Sequence, residues 1–168
     1  GVRAVACDMN SDFQEAFEEK CQHIQVVFDY FHIIKNFNDK VISEVRRDEQ
    51  KRLVSEGRTE EAARLKKTKY ILTSSRELLE EKDLEGEQKK VIEKSGEIFK
   101  RNEVVRKTGY VALYESLIKE NKLLFTIDLI KEKLSLAYTL TDEVKMAESI
   151  CEIMALCHET GNRYFLWF

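Results

Sequence analysis

Two aspartates and a histidine are the residues of this chain whose types and spacing could support a reaction. Asp8 closes the apolar run in AVACDMNS, residues 4–11, and Asp29 closes the run IQVVF, residues 24–28. His32 follows three residues later in FDYFH. If both runs are strands of one parallel sheet, both carboxylates stand at strand C-terminal ends, where open α/β sheets bind their ligands. Neighbouring strands lie about 4.8 Å apart, so the two acids could meet at one sheet edge. Hard cations such as Mg²⁺ take one or two carboxylates together with phosphate oxygens. Two such metals about 4 Å apart serve phosphoryl transfer. The same residues also have plainer uses. An Asp after a strand caps the next helix, so Asp8 can serve a helix starting near residue 11 and Asp29 one starting near residue 30. His32, beside two aromatic residues, is equally suited to packing or to a cap contact. A phosphoacceptor Asp of a receiver-like domain would have a similar neighbourhood at position 8.

The elements that must position these residues follow from periodicity. VRAVACD and IQVVF are short, apolar and rich in β-branched residues, which predicts strands buried on both faces. Between them, Ser11 with Gln14 three residues on makes a capping box, and Phe13, Ala16 and Phe17 share one helical face, predicting a helix from 11 to about 20. Strand, helix, strand is a βαβ unit with parallel strands. Phe31, Ile34, Phe37, Val41, Ile42 and Val45 then repeat at helical spacing, predicting a long helix from 30 to about 56 that stops at Gly57. A further helix opens near Thr59. Residues 74–90 are polar and charged, and read as a loop or a weakly held helix. Residues 91–120 read as helical with an interruption at KTGY. Two apolar stripes, Leu123 to Ala137 and Ala147 to Cys157, predict an antiparallel helix pair over about 121–160, with Thr141 as an N-cap and Gly161 as a stop.

The fold class expected is therefore a short α/β piece followed by a mostly helical region, predominantly α overall. Its domains divide at 1–29 and 30–168. A two-stranded sheet does not stand alone, and the chain opens within a strand and without Met, so we expect a fragment of a longer protein. The sequence has no proline, where average usage would give about eight, in keeping with long helices. No apolar run approaches the roughly 20 residues of a membrane span, and GVRAVACD lacks the pattern of a signal peptide. The four cysteines, Cys7, Cys21, Cys151 and Cys157, form no C-x-x-C pair and read as buried, reduced thiols of a cytoplasmic protein. Cys151 and Cys157 with His158 and Glu159 offer no complete zinc set nearby.

Charge is uneven. Residues 30–76 carry a net +5, against −4 for residues 1–29 and −4 for residues 77–168. A basic segment beside acidic ones fits a polyanion partner, although charged helices by default face water. Lys35, Lys40, Arg46, Arg47, Lys66 and Lys67 are the candidate phosphate contacts.

ACDMNSDFQEAF followed by VVFDYFHIIKNFNDKVISEVRR resembles the ISL-three family of bacterial insertion-sequence transposases. The matching features are Asp-Met after a strand, Asp-x-Phe-His-(Ile/Val)-(Ile/Val)-Lys about 20 residues later, and a Val-Arg pair further along the helix. NKLLFTIDLIKEKLSLAY is similar to that family's helical region. The motif match spans residues 4–47; the remainder agrees in helical character and order. The resemblance implies part of an RNase H-like domain with an Asp-Asp-Glu triad that uses a divalent metal, Mg²⁺ or Mn²⁺, to cut and join DNA at transposon ends. It places Asp8 as a catalytic carboxylate and metal ligand, with Asp29 and His32 in support, and residues 30–168 as a helical insertion before the final Glu. The first Asp of the triad and the Glu-Gly-x-Asn context of the last are not found; HETGN at 158–162 has the wrong order and spacing. We therefore expect these residues alone to be inactive, with the divalent metal expected in the full-length enzyme and metal binding by this stretch left open. DNA is the expected partner, self-association is left open, and no membrane is involved. The alternative function is a non-enzymatic helical module that binds DNA or a protein, with Asp8 and Asp29 as helix caps.

Overall fold

The structure, a computed structural model, describes residues 2–7, 11–94 and 109–168. It is 76% helical with one small parallel sheet, so the chain is predominantly α with a short βαβ unit. Two compact units divide it: residues 1–44 with 133–168, and residues 45–132.

In the first unit, β1 (Ala4–Cys7) and β2 (Gln25–Phe28) pair in parallel, with Ala4 opposite Gln25 and Cys7 opposite Phe28. Helix α1 (Ser11–Lys20) lies between them in sequence. The ladder extends at both ends, through Gln25 N–H to the Arg3 carbonyl at 2.9 Å and Asp29 N–H to the Cys7 carbonyl at 3.4 Å. The strands differ from expectation in burial. Val5, Cys7, Val26 and Phe28 are half-buried, while Ala4, Ala6, Gln25 and Val27 are exposed. Gln14 and Glu18 of α1 share a shallow pocket with Val26 and Phe28, so α1 lies on the half-buried face. Alternation of side chains across the pleat leaves the other face open.

A helical run then extends from Tyr30 to Ser55, as α2 (Tyr30–Asn36), a π-helical segment (Phe37–Ile42) and α3 (Ser43–Ser55). The apolar spacing predicts a uniform helix here. The π-helical segment carries an extra residue in its turn, and Phe37, Val41 and Ile42 are all fully buried. Ser43 stabilises the wider turn, since its amide and its hydroxyl (2.9 Å) both donate to the Asn38 carbonyl. The Phe37 ring packs 4.9 Å from that of Phe168. Helix α9 (Glu143–Glu159) is capped by Asp142, one residue after the expected Thr141; its carboxylate accepts from the amides of Val144 and Lys145 at 3.0 and 3.2 Å. Gly161, at φ 59°, turns the chain into α10 (Arg163–Trp167), whose Phe165 is buried.

The second unit holds α4 (Thr59–Leu65), α5 (Lys69–Thr73), α6 (Arg76–Lys94), α7 (Tyr110–Glu120) and most of α8 (Lys122–Ala137). Its core includes Leu65, Leu72, Leu79, Leu117, Leu124, Ile127 and Ile130. Of the two readings for residues 74–90, loop or weakly held helix, the structure takes the helix, as α6. Two polar residues here serve as caps, while Glu77, Glu80 and Glu81 are exposed. The Ser75 hydroxyl accepts from Leu78 N–H at 3.3 Å, and the Asp83 carboxylate accepts from the amides of Gly109, Tyr110 and Val111 at 2.7, 2.9 and 3.0 Å. Three donors at the start of α7 are thereby satisfied by one acid on α6.

This unit also buries a polar cluster. Lys131 donates to the carbonyls of Leu72 (2.9 Å) and Ser74 (2.7 Å), with its ammonium 5.3 Å from the centre of the Tyr114 ring. The Tyr114 hydroxyl donates to Asp128, and Arg76 lies 3.6 Å from the same carboxylate. Burial pulls Lys131 down to about 8 from 10.5. Burial, then Asp128, pushes the Tyr114 phenol well above its usual range. A lysine depressed in the folded state binds fewer protons there than in the unfolded chain, so stability should rise as pH goes from about 8 toward 10. Above 10, Tyr114 acts in the opposite sense, because the folded state then retains a proton that the unfolded chain loses. Urea unfolding at pH 7, 8, 9 and 10 should show a gain of the order of 1–3 kcal/mol. Lys131→Met should flatten that pH dependence.

Candidate functional site

The first unit places Asp29 at the C-terminal end of β2. Because Cys7 and Phe28 are register partners, β1 ends beside it, one residue before Asp8. Asp8 itself lies outside the described residues. Asp29 is extended, at φ −67° and ψ 132°, which turns the chain from strand into helix. Its Oδ1 accepts from Phe31 N–H at 2.9 Å, so it is the N-cap of α2. Its carbonyl accepts from the amides of His32 (3.0 Å) and Ile33 (3.2 Å). The other carboxylate oxygen, Oδ2, lies 3.7 Å from Nδ1 of His32. The Asp29 side chain is 51% exposed and that of His32 27% exposed, so the acid reaches solvent while the imidazole is partly sheltered. Phe31 meets the His32 ring edge-on at 5.5 Å and 82°.

One residue of this corner was not among the candidate site residues. Tyr138, following α8, stacks on Tyr30 with ring centroids 4.5 Å apart and planes at 42°. Its phenol is raised by burial first, then by nearby Tyr30 and Asp29. Tyr138 and Ile33 also line a cavity of about 440 Å³, walled by Leu134, Ile153, Met154, Cys157 and the aromatic residues of α10. Tyr138 ends an amphipathic stripe in the sequence, and only tertiary packing brings it to Tyr30.

The arrangement divides the work of Asp29 between its two oxygens. One closes the helix, and the other faces an imidazole that can donate to it or orient against it. Among the described residues, no group of three His, Cys, Asp or Glu could hold a metal ion.

The candidate phosphate contacts fall into two sets. Lys35 and Lys40 are exposed in the first unit. Arg46, Arg47, Lys66 and Lys67 belong to the second. There the Leu65 carbonyl accepts from Arg46 Nη1 at 3.1 Å, from the Thr68 hydroxyl at 2.8 Å and from Thr68 N–H at 3.4 Å. Lys66 and Lys67 follow that carbonyl and are exposed, with Lys67 in the left-handed region at φ 63°. Arg46 thus holds the lysine turn against α3, and Arg47 beside it is exposed.

Comparison with known proteins adds one positive finding. The model of the DDE-type ISL-three family, whose description is "Transposase", matches residues 1–165. No curated protein and no solved structure gives a significant match.

The cap at Asp29 can be separated from its charge. Asp29→Ala should lower stability by about 1 kcal/mol and speed amide exchange at Phe31, whereas Asp29→Asn should keep most of the cap. Thermal unfolding and hydrogen exchange of the two variants side by side check this.

Proposed function

The chain belongs to the ISL-three family of DDE transposases, and from that premise we propose that it supplies part of a catalytic domain that cleaves and joins DNA at transposon ends. The observation that carries this is the parallel register, which ends β1 beside Asp29, at the sheet edge where such folds gather their reacting groups. DDE transposases generally use a divalent metal. We assign the catalytic and metal-binding carboxylate to Asp8, and supporting roles to Asp29 and His32. Asp29 fixes the corner as a cap, and its second oxygen orients the imidazole. The capping contact also suits a non-enzymatic helical module, which is the competing reading. The two roles are compatible, because the cap uses only one of the two carboxylate oxygens.

Hydrolysis and strand transfer are proposed for the full-length transposase. These residues contribute Asp8 but no assigned first Asp or final Glu, so alone they should bind DNA without cutting it. Family membership implies DNA as the partner, and among the described residues no helix is long and apolar enough to cross a membrane. Lys35 and Lys40 in one unit, and Arg47, Lys66 and Lys67 in the other, are the proposed backbone contacts. Arg46 acts through the Leu65 carbonyl.

Two measurements test this. In the full-length enzyme, Asp8→Asn should lower the cleavage rate by about 10²-fold or more, and His32→Ala by about 10- to 100-fold. Cleavage intact in Asp8→Asn would favour the non-enzymatic module. Separately, Lys66→Ala with Lys67→Ala should weaken binding to all DNA sequences alike and reduce the slope of log K against log salt by about 2. An unchanged slope would remove the lysine turn from the DNA interface.

A further inference from the structure

The helical region after residue 30 returns to the corner at an aromatic pair. Tyr30 is the first residue of α2, between the capping Asp29 and Phe31, whose amide Asp29 accepts. Tyr138 stacks on it from the end of α8. The turn carrying Tyr138 is firmly held. Tyr138 N–H reaches the Leu134 carbonyl at 3.3 Å, Thr139 reaches the Leu136 carbonyl through its amide (3.0 Å) and its hydroxyl (2.7 Å), and Leu140 N–H reaches the Ala137 carbonyl at 3.2 Å. Leu134 and Ala137 beneath it are buried. Tyr30, by contrast, sits where a strand hands over to a helix, at the point where Asp29 sets its direction.

We propose that Tyr138 is a positioning residue for the transposase reaction: its ring clamps Tyr30, and so holds the Asp29–His32 pair in the orientation that the catalytic corner requires. This rests on the assignment of Asp29 and His32 to that corner. The chemical content is steric and dispersive. The Tyr138 ring packs on that of Tyr30, and with Ile33 it lines the cavity. Without the ring, Tyr30 can swing toward the cavity, and the cap turn loses its support on that side. The phenol hydroxyl is not required, so phenylalanine should substitute for tyrosine while small or aliphatic residues should not. An aromatic pair of this kind shifts a conformational equilibrium about two- to tenfold. The loss should appear in turnover and leave DNA affinity as it was, since none of the proposed DNA contacts is involved.

The test uses the full-length transposase on a transposon-end duplex. Tyr138→Leu should lower kcat about five- to tenfold with KM unchanged, and Tyr138→Phe should restore kcat to within about twofold. Tyr30→Leu should match Tyr138→Leu, and the double variant should be no slower than either single one, because both remove the same contact. Wild-type turnover in Tyr138→Leu, a rise in KM in place of the fall in kcat, failure of phenylalanine to restore turnover, or additive losses in the double variant would each overturn the proposal. Asp29→Asn, which keeps the cap, separates this from the underlying assignment. If it cleaves at the wild-type rate, the corner is not catalytic and both ideas fall. If it is slow while Tyr138→Leu is normal, only the positioning role is lost.

Discussion

The organisation of the first unit depends on one hydrogen-bonded register. Parallel pairing fixes where β1 stops relative to β2, and the amide of Asp29 closes the ladder on the carbonyl of Cys7. A slip of one residue would reverse the facing of every strand side chain. It would uncover the half-buried face that Val26 and Phe28 share with α1. It would also shift the end of β1 away from the acid that begins α2. The extended backbone of Asp29, its cap on Phe31 and its approach to His32 all follow from that last rung of the ladder.

Much of this was legible in the residues. Two β-branched runs too short for helices, separated by an amphipathic ten-residue stretch, leave little choice but a βαβ unit. Asp after an apolar run, followed by an uninterrupted helical pattern, marks an N-cap, and Gly57 and Gly161 mark stops that the structure occupies with positive φ. The departures share one physical origin. α6 was readable as a loop or a weakly held helix because its residues are mostly polar and charged, and what anchors it is Asp83, which accepts from the first amides of α7. The π-helical turn was invisible because Phe37, Val41 and Ile42 satisfy an α-helical spacing about as well. Tyr138 closes the run NKLLFTIDLIKEKLSLAY, but nothing in that run points to Tyr30. Each of these is set by a partner distant in sequence, and local pattern is silent about such partners.

The second unit shows what such partners do when they are polar. Glu49 is nearly buried, and burial alone would raise its pKa. Arg52 at 2.9 Å and Asn121 at 2.5 Å outweigh that and hold it below the usual carboxylate value. Lys131 spans from α8 to the carbonyls between α5 and α6. Asn121 also caps α8 through the amides of Leu123 and Leu124. Short helices such as α4 and α5 are marginal by themselves, and cross-links of this kind add direction to the apolar packing that holds them.

The wide turn at Phe37–Ile42 bears on how this stretch can change length over evolutionary time. Losing one codon there would tighten the turn to an ordinary α-helix and rotate whatever follows by about 100° about the axis. Phe37 would then keep its place against Phe168 only if Val41 and Ile42 left the core, or the reverse. A single-residue gap in this segment should therefore survive only alongside compensating changes in the aromatic tail that packs on it.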